Sequence, residues 1–306
     1  MDRIICIVGP TASGKTRLSV ALARKLGAEI VSCDSMQLYR GMDIGTAKPT
    51  VEEMEGIPHH MIDILDPGQD YAVGQYVRDG DRCVQEILHR GKPVIIVGGT
   101  GLYVDSLIAG REFASRPQTG RREELTRLAA EQGIEVLMEQ LRRVDPEAAE
   151  RIHPSNEKRV IRALEVYLET GKTLTQHDLE TRQQPPKYHP VWIGLDYVNR
   201  SALYGRINRR VEEMVEQGLV EEVKGLLDAG VSPRCTAMQA IGYKELTAFL
   251  RGEDTLEHAK EMIQQGSRRY AKRQRTWFRR NPEISWIMHP DEPRFSEILS
   301  QAEALI

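Results

Sequence analysis

At 306 residues and 34.7 kDa the chain has room for one large domain or two of ordinary size. Its 40% hydrophobic and 28% charged residues are the balance of a soluble globular protein, and a net charge of −3 excludes a whole-molecule attraction to nucleic acid, leaving only local basic patches. The cysteines Cys6, Cys33, Cys83 and Cys235 form no close pair, and the apolar run at residues 3–8 is too short for a signal segment or a membrane span, so a cytoplasmic protein without zinc, disulfides or membrane attachment is expected.

That apolar run, RIICIV, reads as a buried strand and leads directly into Gly9, Pro10, Thr11, Ala12, Ser13, Gly14, Lys15 and Thr16. These eight residues fit the phosphate-loop (P-loop) template G-x-x-x-x-G-K-[ST], the usual nucleotide- and ATP-binding motif, and helical spacing follows over residues 16–26. In such a loop backbone N–H groups and a helix N-terminus converge on an anion. Lys15 would meet the outer phosphate, and the Thr16 hydroxyl is the ordinary ligand for Mg2+. The plain alternative is a tight glycine-rich turn with a solvated lysine.

Residues 28–33 read as a second strand ending at Asp34, followed by the loop SMQLYRGMDIGTAKP. An aspartate there could bind Mg2+, act as a base, or cap the next turn. Residues 57–66 resemble another strand; His59 and His60 within it would face opposite sides and cannot chelate one ion together. An amphipathic helix over residues 75–90 stops at Gly91, and PVIIV at residues 93–97 is a strong strand ending in GGTGLY. A phosphate-loop ATPase commonly carries an acidic residue at that strand end, whereas here glycines and Thr100 follow.

From residue 113 to 184 only helical patterns occur, bounded by Arg116-Pro117 and Gly120 at entry and Pro185-Pro186 at exit, before strand character returns at residues 191–197. The expected fold is therefore α/β, a P-loop-containing parallel-sheet core (residues 1–112 and 190–306) carrying an inserted all-helical domain (113–189). The helix over residues 155–170 places Lys158, Arg159 and Arg162 near its start, where cations oppose the dipole and hint at an anionic partner. Residues 200–229 suggest a long helix or a pair broken near Gly218. Residues 268–280 hold seven Arg or Lys in thirteen positions, a broad cationic face best explained by a polyanion.

Two function classes fit these features: a small-metabolite kinase, and a transferase that holds a diphosphate leaving group while presenting a nucleic acid as nucleophile. Only the second also employs the helical insertion and the basic helices. A simple nucleic-acid-binding module would leave the P-loop and Asp34 without a role.

GPTASGKT, SCDSMQLYRGMDIGTAKP, PHHMID, GGTGLY, NEKRVIRALEVY, QAIGYKE and AKRQRTWFRR, in this order, resemble the bacterial tRNA dimethylallyltransferase family over nearly the whole chain. Cys33 departs slightly, standing where a small residue such as Ala is common, and the zinc-finger extension of some eukaryotic relatives is absent. The resemblance implies transfer of a dimethylallyl group from dimethylallyl diphosphate to the exocyclic amine of the adenosine 3′ to the anticodon, with Mg2+ on Thr16. It further implies Asp34 as base and Thr100 as orienting residue, the diphosphate in residues 9–16, and a monomer whose helical insertion clasps the tRNA anticodon stem-loop. By the same resemblance Asp34, Ser35, Met36 and Gln37, Lys158, Arg159, Val160, Ile161 and Arg162, and Gln239, Ala240, Ile241, Gly242, Tyr243 and Lys244 meet the tRNA.

Overall fold

The computed structural model describes residues 3–111, 113, 119–183 and 185–306, with residues 181–183 described by their backbone alone. Two compact units result: Arg111–Lys187 forms one, and the chain before and after it forms the other. The turn expected at Arg116 and Pro117 lies outside the described residues.

The larger unit begins β1 (Ile4–Val8), α1 (Lys15–Leu26), β2 (Glu29–Ser32), α2 (Val51–Met54), β3 (His59–His60), α3 (Val73–His89), β4 (Val94–Val97) and α4 (Gly101–Ala109). The helical unit holds α5 (Arg121–Gln132), α6 (Ile134–Val144), α7 (Pro146–Arg151), α8 (Glu157–Thr170) and α9 (Leu174–Gln183). The larger unit resumes with β5 (Val191–Tyr197), α10 (Arg200–Glu216), α11 (Leu219–Asp228), a 3-10 turn (Ala237–Gln239), α12 (Tyr243–Leu250), α13 (Leu256–Phe278), β6 (Ser285–His289) and α14 (Phe295–Glu303). None of the described helices is long and apolar enough to cross a membrane.

The strands form one parallel sheet in the order β3-β2-β4-β1-β5-β6. β1 lies inside it, and its side chains alternate: Ile4, Cys6 and Val8 pack into one core layer, Ile5 and Ile7 into the other. Each such buried aliphatic side chain contributes roughly 1.5–3 kcal/mol, so a short, wholly apolar strand is enough to anchor the P-loop that follows it. Because every pairing is parallel, the carboxyl ends of β1, β2, β4 and β5 share one edge, where a ligand crevice forms.

One sequence expectation needs correction. The strand expected over residues 57–66 shrinks to His59 and His60, because Met61 and Asp63 adopt positive φ and turn the chain out of the sheet. Within GGTGLY, α4 starts at Gly101. β6 and α14 carried too weak a pattern to be expected, yet β6 pairs with β5 over five residues.

At the opposite end of the sheet Glu29 binds His60 (2.7 Å), Arg90 (2.6 Å) and Lys92 (2.9 Å). Burial raises its pKa, but the hydrogen bonds from Lys92, His60 and Arg90 outweigh burial and hold it down to about 2. A carboxyl whose folded pKa is depressed stabilises the fold above its unfolded value of 4.5 and loses that contribution as pH falls through about 2. Glu29→Gln should therefore destabilise the protein by about 2 kcal/mol at neutral pH. In denaturant melts the gap to wild type should close as the pH is lowered from 4.5 toward 2; a pH-independent gap would contradict the ion cluster.

Candidate active site

The P-loop leaves β1 at Gly9, whose φ of 140° and whose missing Cβ both matter: an added carbon would stand 2.2 Å from the Leu195 carbonyl oxygen. Ala12 (φ 62°) and Gly14 (φ 89°) take left-handed conformations, and α1 begins at Lys15, so the loop ends on the N-terminus of a helix. The Lys15 Nζ donates to the Pro10 carbonyl at 2.7 Å, folding the lysine back over the loop. Lys15 is only partly open to solvent. Burial first, and then the nearby Arg210 charge, lower its pKa to about 7, with Asp34 opposing the shift.

Surrounding elements hold the loop from several sides. From α10, Arg210 donates to Thr11 Oγ1 at 3.3 Å and Arg206 to the Ala12 carbonyl at 3.4 Å. From α13, the buried Gln274 accepts the Thr11 N–H through Oε1 (2.8 Å) and donates Nε2 to the Gly99 carbonyl (2.9 Å), joining the P-loop to the end of β4. Behind the loop the buried His289 presents Nε2 to the Ser13 carbonyl at 3.1 Å, which requires the proton on that nitrogen. The buried Ser13 hydroxyl has no protein partner.

The glycines after β4 now have a steric reason. A Cβ at Gly98 would lie 2.3 Å from the Cys33 carbonyl oxygen, and one at Gly99 would lie 2.1 Å from Gln274 Nε2. The acidic residue of an ordinary ATPase does not fit there. Thr100 heads α4 without capping it; its Oγ1 accepts the Ser35 N–H at 3.2 Å and sits 3.4 Å from Ser35 Oγ. Thr100 therefore steadies the loop that carries Asp34.

Asp34 follows β2, and its Oδ1 accepts the Met36 N–H at 2.9 Å. The local cap is thus real, but the same side chain also lines a cavity. Burial raises its pKa above that of an ordinary carboxyl, against the opposing pull of the Met36 N–H, Lys15 and Arg210. Arg210 is itself pushed down by burial and held up by Asp34.

The cavity, about 310 Å³, brings Thr11, Asp34 and Arg210 together with Ser35, Met36, residues 45–47 and residues 239–242. Its α10 wall is the stripe Ile207, Arg210, Val211 and Met214, and its α13 wall is Ile263, Ser267, Tyr270 and Arg273. Thr11 at the edge of the P-loop, a carboxylate in a desolvated setting and a partly apolar slot thus share one space. That arrangement suits displacement of a diphosphate by a nucleophile whose proton the carboxylate takes.

A profile described as IPP transferase matches residues 37–281, and one described as isopentenyl transferase matches residues 2–65. The tRNA dimethylallyltransferase of Caldanaerobacter subterraneus subsp. tengcongensis is 48% identical over 298 residues, 97% of this chain and 95% of its own length. That of Geobacillus thermodenitrificans is 50% identical over 296 residues, 96% of this chain and 93% of its own. The chain belongs to the tRNA dimethylallyltransferase family. Solved structures agree. The tRNA isopentenylpyrophosphate transferase of Bacillus halodurans superposes with a TM-score of 0.74 at 44% identity, covering 99% of this chain and 95% of that one. A eukaryotic dimethylallyltransferase captured acting on tRNA gives 0.85 at 30% identity, covering 99% and 78%.

Within this tRNA dimethylallyltransferase-family chain, the residues expected to meet RNA fall into different environments. Ser35, Met36, Gln239, Ala240, Ile241 and Gly242 line the cavity. Gln37 is spent internally: its amide accepts from Ser32 Oγ (3.1 Å) and donates to the Thr46 and Ala47 carbonyls (3.3 and 3.2 Å). Tyr243 is fully buried, while Lys244 is half-exposed beside Glu245. In the helical unit Val160 and Ile161 are core side chains, because the α8 face they occupy packs on α5 and α6; they present no surface to a ligand. Lys158 and Arg159 are exposed, and Arg162 is held by Glu165 at 2.7 Å.

The broad cationic face expected over residues 268–280 is narrower than its sequence. Arg275 (2.7 Å) and Arg279 (3.6 Å) pair with the buried Asp196, Arg268 bonds Asn208, and Arg280 lies over Trp277. Arg275 and Arg279 thus tie the end of α13 to the sheet, and Arg268 ties α13 to α10. Tyr270, Arg273 and the arginines of residues 206–210 stood out in the sequence as candidates for diphosphate or RNA contact, whereas Gln274 did not. The signal available for Gln274 was its place one turn beyond Tyr270.

Proposed function

We propose that the protein transfers a dimethylallyl group from dimethylallyl diphosphate to the exocyclic amine of the adenosine 3′ to the anticodon of tRNA. The observation that carries this reading is that Asp34, Thr11 of the P-loop and Arg210 of α10 line one cavity. The amine nitrogen bonds to C1 of the prenyl group as the C1–O bond breaks, and diphosphate leaves with the electron pair. Asp34 takes the amine proton, and its raised pKa matches it to that task better than a solvated carboxylate. Residues 9–16, with Lys15, Arg206 and Arg210, receive the charge that develops on the leaving group.

Mg2+ fits this chemistry as a diphosphate-bound ion. Among the described residues no cluster of three or more His, Cys, Asp or Glu could hold a metal. Thr16 would supply one hydroxyl, with phosphate oxygens and water completing the shell, the manner in which Mg2+ ordinarily binds. Bound there, it would further stabilise the departing diphosphate. The adenine must leave its stack to enter the cavity, with Thr100 steadying Ser35 at its edge. We take the protein to act as a monomer, and a tRNA substrate supports a cytoplasmic reaction.

The test is incubation with labelled dimethylallyl diphosphate, Mg2+ and tRNA. Label retained in the RNA is expected, and RNA without label overturns the reading. We assign the exposed Lys158 and Arg159 of the helical unit, at residues 111–187, to the tRNA phosphates. Replacing both by Gln should weaken tRNA binding and reduce the slope of log Kd against log salt by about one to two. Filter binding across a salt series checks this; an unchanged slope would leave them as solvated surface charges.

A further inference from the structure

Glu222 on α11 is outside the cavity lining, yet its carboxylate makes four hydrogen bonds to two adjoining chain segments that both contribute to that lining. Oε2 accepts the N–H groups of Asp43 (2.9 Å) and Ile44 (2.8 Å), and Oε1 accepts the N–H of Gly45 at 3.1 Å. Three consecutive backbone N–H groups aimed at one anion form a nest, a device that usually receives a ligand. Here it is filled by the protein's own carboxylate. The fourth bond comes from the Tyr243 hydroxyl, which donates to Oε1 at 2.5 Å.

The two segments so joined are the ones that shape the slot. Gly45, Thr46 and Ala47 line the cavity from the first, and Gln239, Ala240, Ile241 and Gly242 from the second, directly before Tyr243. Their packing is close: a Cβ on Gly45 would stand 2.5 Å from the Tyr243 ring, so only glycine lets the ring pass beneath the turn. The same turn is fastened from its other side by the buried Lys48, which donates to the Tyr39 carbonyl (2.8 Å) and to the carboxylates of Asp43 and Asp63. An otherwise irregular loop is thereby held from α11 and from beneath. The lining it offers is the small side chains and backbone of Gly45, Thr46 and Ala47, in a cavity that Met36 and Ile241 also line.

We propose that Glu222 is a positioning residue for the acceptor: by tying the 43–47 turn to the 239–243 segment it sets the spacing of the slot that receives the adenine. This rests on the transferase reading above. Glu222 touches neither substrate in this view and acts through the two walls.

Glu222→Gln tests it. The amide nitrogen cannot accept a backbone N–H, so at least one bond of the nest is lost and one wall is released. With labelled dimethylallyl diphosphate and an anticodon stem-loop, the acceptor KM should rise about tenfold, while the donor KM and kcat stay within about twofold to threefold. A merely structural role would lower Tm and the active fraction, reducing kcat without moving either KM. A folded Glu222→Gln with an unchanged acceptor KM, or with both KM values rising together, overturns the proposal. If that variant does not fold, Tyr243→Phe decides: it removes one bond and keeps the ring, and should raise the acceptor KM about threefold, whereas an unchanged value overturns the proposal. Wild-type protein that transfers no label overturns the transferase reading and this proposal with it.

Discussion

Asp34→Asn is expected to slow transfer by about 10²- to 10⁴-fold while leaving tRNA and donor affinity within about threefold of wild type. Asparagine keeps the acceptor for the Met36 N–H, so the turn after β2 survives. What disappears is the proton acceptor. The pH dependence carries the same assignment. The carboxylate works deprotonated, so activity is present above its pKa and is lost as pH falls through it. Because burial raises that pKa, the acid limb of kcat/KM should lie above the ordinary carboxylate range, and Asp34→Asn should remove it. Single-turnover rates with saturating substrates, beside equilibrium tRNA binding, decide the matter: equal losses in rate and affinity would make Asp34 a binding group only.

Lys15→Ala should lower kcat/KM for the diphosphate donor by about 10²- to 10³-fold, the scale of losing one preorganised donor to a developing negative charge. Here too the sign of the pH effect discriminates. In the free protein the Lys15 pKa is depressed to about 7, so the ammonium is present below that pH and is lost as pH rises through it. Donor capture should weaken on the alkaline side near neutrality. Once diphosphate is bound, its charge favours the ammonium and pushes the pKa back up. The alkaline limb should therefore appear in kcat/KM and be absent from kcat, and Lys15→Ala should abolish it. A donor affinity unchanged in Lys15→Ala would remove the lysine from the cradle.

Both residues were legible before any coordinates because their signals are local. GPTASGKT lies between an apolar strand and a helical repeat, and Asp34 follows a second strand, so strand-end placement alone brings them to one edge of a parallel sheet. The helical character of residues 121–170 was equally plain from periodicity. Elsewhere composition misled. Seven basic residues in the 268–280 stretch suggested a free cationic face, but charge is not a contact, and Asp196, 79 positions before Arg275, accounts for part of it. Val160 and Ile161 entered the RNA-facing set through the resemblance alone; helical spacing already put Ile161 on a packing face with Leu164, and α8 buries both it and Val160.

The sequence by itself determined the chemistry that needs one residue type in one backbone setting: the glycines and Lys15 of the cradle, the strand-end Asp34, and the helix-only segment between two stretches of strand. Tertiary structure alone decided which distant groups complete the site. Arg210 reaches Thr11 across 199 positions, Gln274 reaches it across 263, and Glu222 closes on the 43–45 turn across 177 to 179. No local propensity encodes such pairs, because they depend on how α10, α11 and α13 pack around the carboxyl edge of the sheet. The same packing explains what the glycines after β4 are for: they leave room for Cys33 and Gln274 where a phosphate-loop ATPase would carry an acid.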